Sequence, residues 1–520
     1  MKSNKKVLVV VIVLLLCCAT LGIIYFVTDG KIINFNNEQT KVGSDYRLSG
    51  NGLENFDLYF LKLENNGKNS IYSPLSIKYA MAMLADGANG NTKKQITDVI
   101  GDYKANKYTN NSNMSFANVM FIKDSYKDAV KDTYVNTLAS KYNASVVYDS
   151  FANASNVNAW ISDKTLNLVN NLVDDLSKTD FLLVNALGID MNWNNQIHCE
   201  TSHSIPCISD EAYYIRYAHE KIEDKDVASY ITVEYPYISE NDFYKGYEGT
   251  NTFNGKNNTK GATVFADFNK YDIISALGED KIRSLVKTAY EKWLQSDEGK
   301  GGLPVDQYLD NYIKELKENY GKAAKSTDFL VYEDENVRSF AKDLKTYEGT
   351  TLQYVGIMPK KTDLKNFINN TNKTEIGKII DSLKEVSIEN FEEGYVTRIR
   401  GFIPFFKYEY ELQLQEDLQK LGIKDVFTKK ADLSNIATDA SINKAMHKAN
   451  IEFSNDGIKA SAATPIGGFG GDLGNTFEYL FKVPVKEINV TFNNPYMYII
   501  RDKATGEVWF TGTVYEPIQK

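Results

Sequence analysis

An α+β fold built around one large sheet is what this sequence predicts, and three observations carry the prediction. Apolar residues recur at helical spacing from Phe56 to Tyr103, with a turn at Gly87 to Gly90. Met114 to Ile122 and Asp180 to Met191 are short, apolar and bounded by polar residues, as buried strands are. After Val396 the chain reads mostly as strand, with one helix at Gln415 to Leu421. Helices mixed with long, non-alternating strands in this way form a large sheet with helices around it.

Composition sets the frame for these elements. A chain of 520 residues, 43% hydrophobic and 12% aromatic, can bury one large core or two modest ones and is not a disordered protein. A net charge of −9 supplies no basic field for phosphate, so a nucleic-acid partner is not expected.

The first element is an uncharged run, Val7 to Phe26, which as a helix would span about 30 Å and match a bilayer's hydrocarbon core. Lys2, Lys5 and Lys6 precede it, and by the positive-inside rule they keep residues 1–6 in the cytoplasm and send the rest outward. The expectation is a cell-membrane protein with residues 7–26 as a single-pass anchor, 27–51 as a polar linker and 52–520 as an extracellular body. A signal peptide cut near Ala19 or Gly22, releasing a secreted protein, is the other reading.

In the outward part only Cys199 and Cys207 remain, and an oxidising compartment favours a disulfide between them. His198 and His203 interleave with them, but no family of metal spacings fits, so neither metal nor cofactor is expected. His219-Glu220 opens like a zinc-protease helix, yet Glu223 stands where the second histidine must be.

Along the body, Asn156 to Leu176 reads as an amphipathic helix with Trp160, Leu166 and Val169 on one side. Ile282 to Ala324 reads as a helical block broken at Gly299 to Pro304. His447 to Gly471 begins as a strand, passes through a run of small residues after Gly457, and ends as a glycine-rich loop. The glycines lack the lysine and following helix of a phosphate loop, and no nucleophile elbow or metalloprotease helix occurs, so the protein is not expected to be an enzyme.

Several segments, in one order, resemble the serpin family. They include Asn69 to Ser76 (NSIYSPLS), Gly87-Ala88, Asn158-Ala159-Trp160-Ile161 with Thr165, Val184-Asn185-Ala186 and Asn192-Trp193. Later come Met358-Pro359, Pro404 to Lys407, Leu418 to Phe427, Ala431 to Ser434, His447-Lys448-Ala449, Phe492 to Tyr496 and Phe510-Thr511-Gly512. The resemblance implies a serpin-like fold, helices around a mixed central sheet with an exposed reactive loop. It also implies an inhibitor of serine proteases, with cysteine proteases as a second target class, acting as a suicide substrate. The loop is cleaved to an acyl-enzyme and inserts as a new central strand before the ester hydrolyses.

In this reading Ser73, Ser76, Asn185 and His447 are the latch beneath the place where the sheet opens, and Trp193 is the plug at its top. Read from the residues alone, the same groups are polar members of a satisfied core cluster and a core aromatic. The hinge is Gly457, Ile458, Lys459, Ala460, Ser461, Ala462, Ala463 and Thr464. Its alternate positions Ile458, Ala460, Ala462 and Thr464 are apolar or small, as a half-buried strand requires.

Departures from the family pattern support an alternative, a non-inhibitory binding or structural protein at the cell surface. Isoleucine and lysine stand at 458 and 459 where inhibitory members carry threonine or serine and then glutamate, and Asn455 replaces a glutamate. Pro465 removes a ladder hydrogen bond, and Gly467, Gly468, Gly470 and Gly471 weaken the far end. Counting forward from Gly457 puts the scissile bond at Gly471-Asp472, whereas counting back from Phe492 puts it at Lys482-Val483. The later cut would add roughly 36 Å of slack, enough to carry a protease across the body without pressing on it, so the Gly471 region is favoured.

Two insertions, around 195–245 and 275–335, read as surface elaboration or as an exosite near the loop. The body is expected to be a monomer.

Overall fold

In the computed structural model the described residues are 25–28, 31–34, 45–195, 197, 216–222, 225–231, 251–266, 274, 277–295, 297, 299–320, 328–385, 396–412, 414–438, 440–442, 445–458 and 480–519. The chain opens with a hairpin of β1 (Tyr25–Thr28) and β2 (Lys31–Asn34). Tyr25 and Phe26, the end of the apolar run, are thus in a strand, and residues 7–24 lie outside the described residues. Among the described residues no helix is long and apolar enough to cross a membrane.

The body begins before residue 52. Leu48 is buried in the main core, and its backbone pairs with Val99. Then follow α1 (Asn55–Leu63), β3 (Ser70–Tyr72), α2 (Pro74–Gly87) and α3 (Gly90–Ile100). The short strand β3 interrupts the helical pattern read there. Helix α2 starts where it does because Pro74 occupies its first turn and the Ser73 hydroxyl accepts from the Ser76 amide.

Next come β4 (Met114–Lys123), α4 (Asp132–Tyr142), β5 (Ala144–Asp149), α5 (Ser155–Lys164), β6 (Phe181–Ile189) and β7 (Met191–Asn192). The helix expected to run to Leu176 stops at Lys164. Leu166 and Asn167 take positive φ, 55° and 60°, which no helix continues through. Thr165 makes the stop, its hydroxyl donating to Ile161 O (2.8 Å) and accepting from Val169 N (3.0 Å).

The middle of the chain contributes β8 (Arg216–Ile222), β9 (Lys225–Ile231), β10 (Asn251–Phe253), β11 (Lys256–Thr259), β12 (Gly261–Ala266), α6 (Glu279–Leu294) and α7 (Val305–Asn319). His219 and Glu220 sit on strand β8, not on a helix. The helical block expected around 282–324 is an antiparallel hairpin, joined by a Tyr290–Tyr308 stack at 3.8 Å and by ion pairs of Arg283 with Asp310 and Lys317 with Glu279.

The remainder runs β13 (Leu330–Glu333), β14 (Val337–Asp343), β15 (Leu352–Pro359), α8 (Leu364–Asn370), α9 (Lys373–Asp381), β16 (Lys384–Glu385), β17 (Val396–Pro404), β18 (Phe406–Leu412), α10 (Leu414–Lys420), β19 (His447–Phe453), β20 (Gly457–Ile458), β21 (Leu480–Asn489), β22 (Tyr496–Asp502) and β23 (Val508–Val514). Strands β16-β13-β14-β15-β22-β23-β3 make one sheet and β12-β17-β21-β9-β8 another. Strands β5-β4-β6 make a further sheet and β18-β19-β20-β7 another, and these two adjoin where β6 leads into β7.

Candidate functional site

Strand β7 continues β6 in sequence, so the sheets β5-β4-β6 and β18-β19-β20-β7 meet there. β20 pairs antiparallel with β19 (Phe453 with Ile458) and with β7 (Ile458 with Met191, Gly457 with Asn192). β6 and β19 therefore run parallel, joined at the top by two residues of β20. Below it they are separated by a cavity lined by Leu187, Gly188 and Ile189 from β6, Asn450 and Ile451 from β19, and Ile71, Ile500 and Phe510 from the other sheet. A second cavity lies below it between Val184-Asn185 and Met446 to Ala449, with Ile161, Thr165 and Val169 covering it. An interior pair of strand edges that face each other without a ladder is a place prepared for one more strand.

The foot of this gap gathers the four polar residues picked out from the sequence. Ser73 N donates to His447 Nε2 at 2.9 Å, joining the start of α2 to the start of β19. Burial holds the His447 imidazole down at about 4, so it is neutral at pH 7. Because Nε2 accepts, the proton of the neutral ring is on Nδ1. The Asn185 amide donates to Asn118 Oδ1, and Asn118 donates in turn to Tyr142 O at 3.3 Å. Ser76 Oγ and Asn185 Oδ1 are buried at the cavity wall and find no hydrogen-bond partner among the described residues.

The top is closed by Trp193 and the turn before β20. Trp193 is 2% exposed, its amide donates to Asp456 O (2.8 Å) and its indole Nε1 to Ser454 O (3.1 Å), and its ring packs edge-on against Phe453 and Tyr354. A Cβ on Gly457 would lie 2.1 Å from Met191 O, so only glycine lets this turn lie flat against β7. Ile458 follows it into the core, 2% exposed.

The structure thus brings Ser73, Ser76, Asn185 and His447 to one end of the gap, and Trp193, Gly457 and Ile458 to the other. Lys459, Ala460, Ser461, Ala462, Ala463, Thr464, Gly471 and Asp472 lie outside the described residues, as do Cys199 and Cys207. Lys482 and Val483 lie within β21, paired with Ser229 and Ala228 of β9.

Sequence reasoning passed over Asn118, although an asparagine inside MSFANVMFIK carries the same signal that flagged Asn185. It also passed over Gly188, where a Cβ would lie 2.7 Å from Thr165 O. That close approach seats the end of α5 on β6, and it depends on a turn the sequence does not announce.

Comparison with known proteins agrees with this architecture. The family model for serpin (serine protease inhibitor) matches residues 55–206 and 325–517. Human serpin B3 is 22% identical over 504 residues, covering 89% of this chain and 97% of that protein. The bovine leukocyte elastase inhibitor is 31% identical over 186 residues, 34% of this chain and 45% of its own length. The native state of tengpin, a thermophilic serpin, superposes with a TM-score of 0.54 at 18% identity, covering 92% of this chain and 95% of tengpin. The chain belongs to the serpin family.

Proposed function

We propose that this protein inhibits serine proteases by presenting a loop for cleavage and drawing it into the gap between β6 and β19. The observation that carries the reading is the register of β20. Continuing that ladder downward, with Ile458 fixed between Met191 and Phe453, sets Ala460 opposite Ile189 and Ile451, and Ala462 opposite Leu187 and Ala449. Thr464 then falls opposite both Asn185 and His447, beside the unpartnered Asn185 Oδ1 and Ser76 Oγ. Residues on the same side as buried Ile458 are Ala460, Ala462, Thr464 and Ile466, of which the first three are small enough to enter a packed interior and Ile466 comes level with Leu183 near the foot of β6.

The same register locates the departures. Pro465 comes level with Met446, one residue beyond the start of β19 at His447, so its missing N–H costs no bond to that strand. Gly468 comes level with Phe181 at the foot of β6. A cut at Gly471-Asp472 then leaves the attached protease a few residues past the foot of the sheet, close enough to be pressed against the body. Lys482-Val483 is paired with Ser229 and Ala228 of β9 and would have to leave that ladder before a protease could seize it.

The reading includes an N-terminal anchor or signal in the apolar run from Val7 up to the start of β1, an extracellular monomeric body, a Cys199–Cys207 disulfide and the α6–α7 hairpin as a docking element for the target. The test is incubation of the outward part with a panel of serine and cysteine proteases. A protease-linked band that survives boiling in detergent is expected. Clean cleavage by every protease without such a band would sink inhibition and leave the non-inhibitory alternative.

A further inference from the structure

At the mouth of the gap a polar group stands outside the latch and the hinge. Asp328 pairs with Lys342 Nζ from β14, a side chain with no exposure at all, and its other oxygen accepts from Asn195 Nδ2 at 3.2 Å. Lys342 also lies 4.7 Å from the centre of the Phe329 ring. Asp328 adopts φ 48°, a left-handed conformation that a non-glycine residue holds only when its surroundings fix it. Three separate stretches converge here: the chain just past Trp193, the end of β14, and the chain returning from the α6–α7 hairpin to β13.

Each neighbour of Asn195 is part of the mouth. Asn194 N donates to Asp343 O at 3.1 Å, Trp193 bridges to Leu344, and Lys345 N donates to Asn192 O at 2.9 Å. On the opposite side, Trp193 N and Ile197 N donate to Asp456 O and Asn455 O, the turn that leads into the hinge. Residues 192–195 and 197 are therefore held between β14 and that turn. In the register set by Ile458, β20 stays in place while the loop enters beneath it, so these two grips hold the fixed end from which insertion proceeds.

We propose that Asp328 is a positioning residue for loop insertion: through Lys342 and Asn195 it fixes residues 193–195 to β14 and so keeps the top of the gap closed around Ile458 while the loop enters beneath it. The carboxylate suits this role because it does two things at once. It neutralises a buried ammonium that would otherwise be costly, and it holds the side chain adjacent to the rim. The inference rests on the loop-insertion reading, but its test does not.

The variants are Asn195→Ala, at an exposed position where loss of one hydrogen bond leaves the fold intact, and Lys342→Met with Asp328→Asn, which remove the ion pair together. Amide hydrogen exchange of the intact protein is followed at 191–197 and 454–458, with β22–β23 as the internal reference. The expected result is exchange at Trp193 and Ile197 faster by about tenfold, with the reference strands unchanged and no extra effect on combining the changes. Rates at the rim within about twofold of the parent, or a rise of equal size in β22–β23, would overturn the proposal. Failure of the insertion reading is read separately, from whether the parent protein gains thermal stability once its loop is cut.

Discussion

His447 joins the sequence, the latch and a measurable property of the protein. Its Nε2 is the acceptor for Ser73 N–H, so protonation would set two donors against each other at the junction of α2 and β19. The folded state holds this ring neutral down to about 4, whereas the ordinary value is 6.5. The stabilisation His447 contributes is present above 6.5 and is lost as pH falls through 4, to a total of about 3 kcal/mol. The charged groups nearest in sequence and register are Lys448, which pairs with Glu409, and Glu411, which stands opposite Lys448 in the ladder; Asp57 shifts the opposite way, up to about 6 under burial. Its contribution is therefore present below 3.8 and is lost as pH rises through 6. Comparing the parent with His447→Gln cancels the Asp57 part. The variant keeps an acceptor that does not titrate, so urea unfolding from pH 7 to pH 4 should show the parent losing stability relative to it. Parallel profiles would mean that His447 is not the acid-sensitive element of the latch.

At the scale of elements, legibility in the sequence followed how local the determinants are. Strands β4 and β6 and helices α6 and α7 are written in periodicity and bounding residues, and the hinge is written in side-chain size. The end of α5 is not, because Leu166 and Asn167 enter left-handed backbone on account of Thr165 and the packing on Gly188, which are tertiary contacts. The division of the sheet is likewise invisible in β6 or β19 taken singly, since each reads as an ordinary buried strand, and it appears only when their registers with β20 are known. The family resemblance supplied the location of the gap before its geometry did. For the inserted hairpin, Ile282, Val286, Leu309, Ile313 and Leu316 are buried but are not part of the main core. Replacing residues 279–319 by a short flexible linker that leaves Asp328 in place should shift the melting temperature of the body by less than about 3 °C in calorimetry. A larger loss would mean that the hairpin is a structural part of the body.

At the scale of the molecule, the account rests on a sheet completed at its top and left open beneath. Its interior edges on β6 and β19 make no ladder with each other, and polar atoms at its foot lack partners among the described residues. On the proposed function, such an arrangement stores free energy that one strand of the right register releases. Residues 459–468 would meet β6, and 459–464 would meet β19 as well, which amounts to several hydrogen bonds at about 1 kcal/mol each together with burial of Ala460, Ala462 and Thr464. The chain holds that strand in its own sequence, immediately after Ile458. The most direct measurement is the thermal unfolding of the protein before and after a single proteolytic cut between residues 466 and 479. With the loop inserted as a new strand, the cut protein, both pieces still associated, is expected to melt about 10 °C or more above the intact one. An unchanged or lowered melting temperature would contradict it.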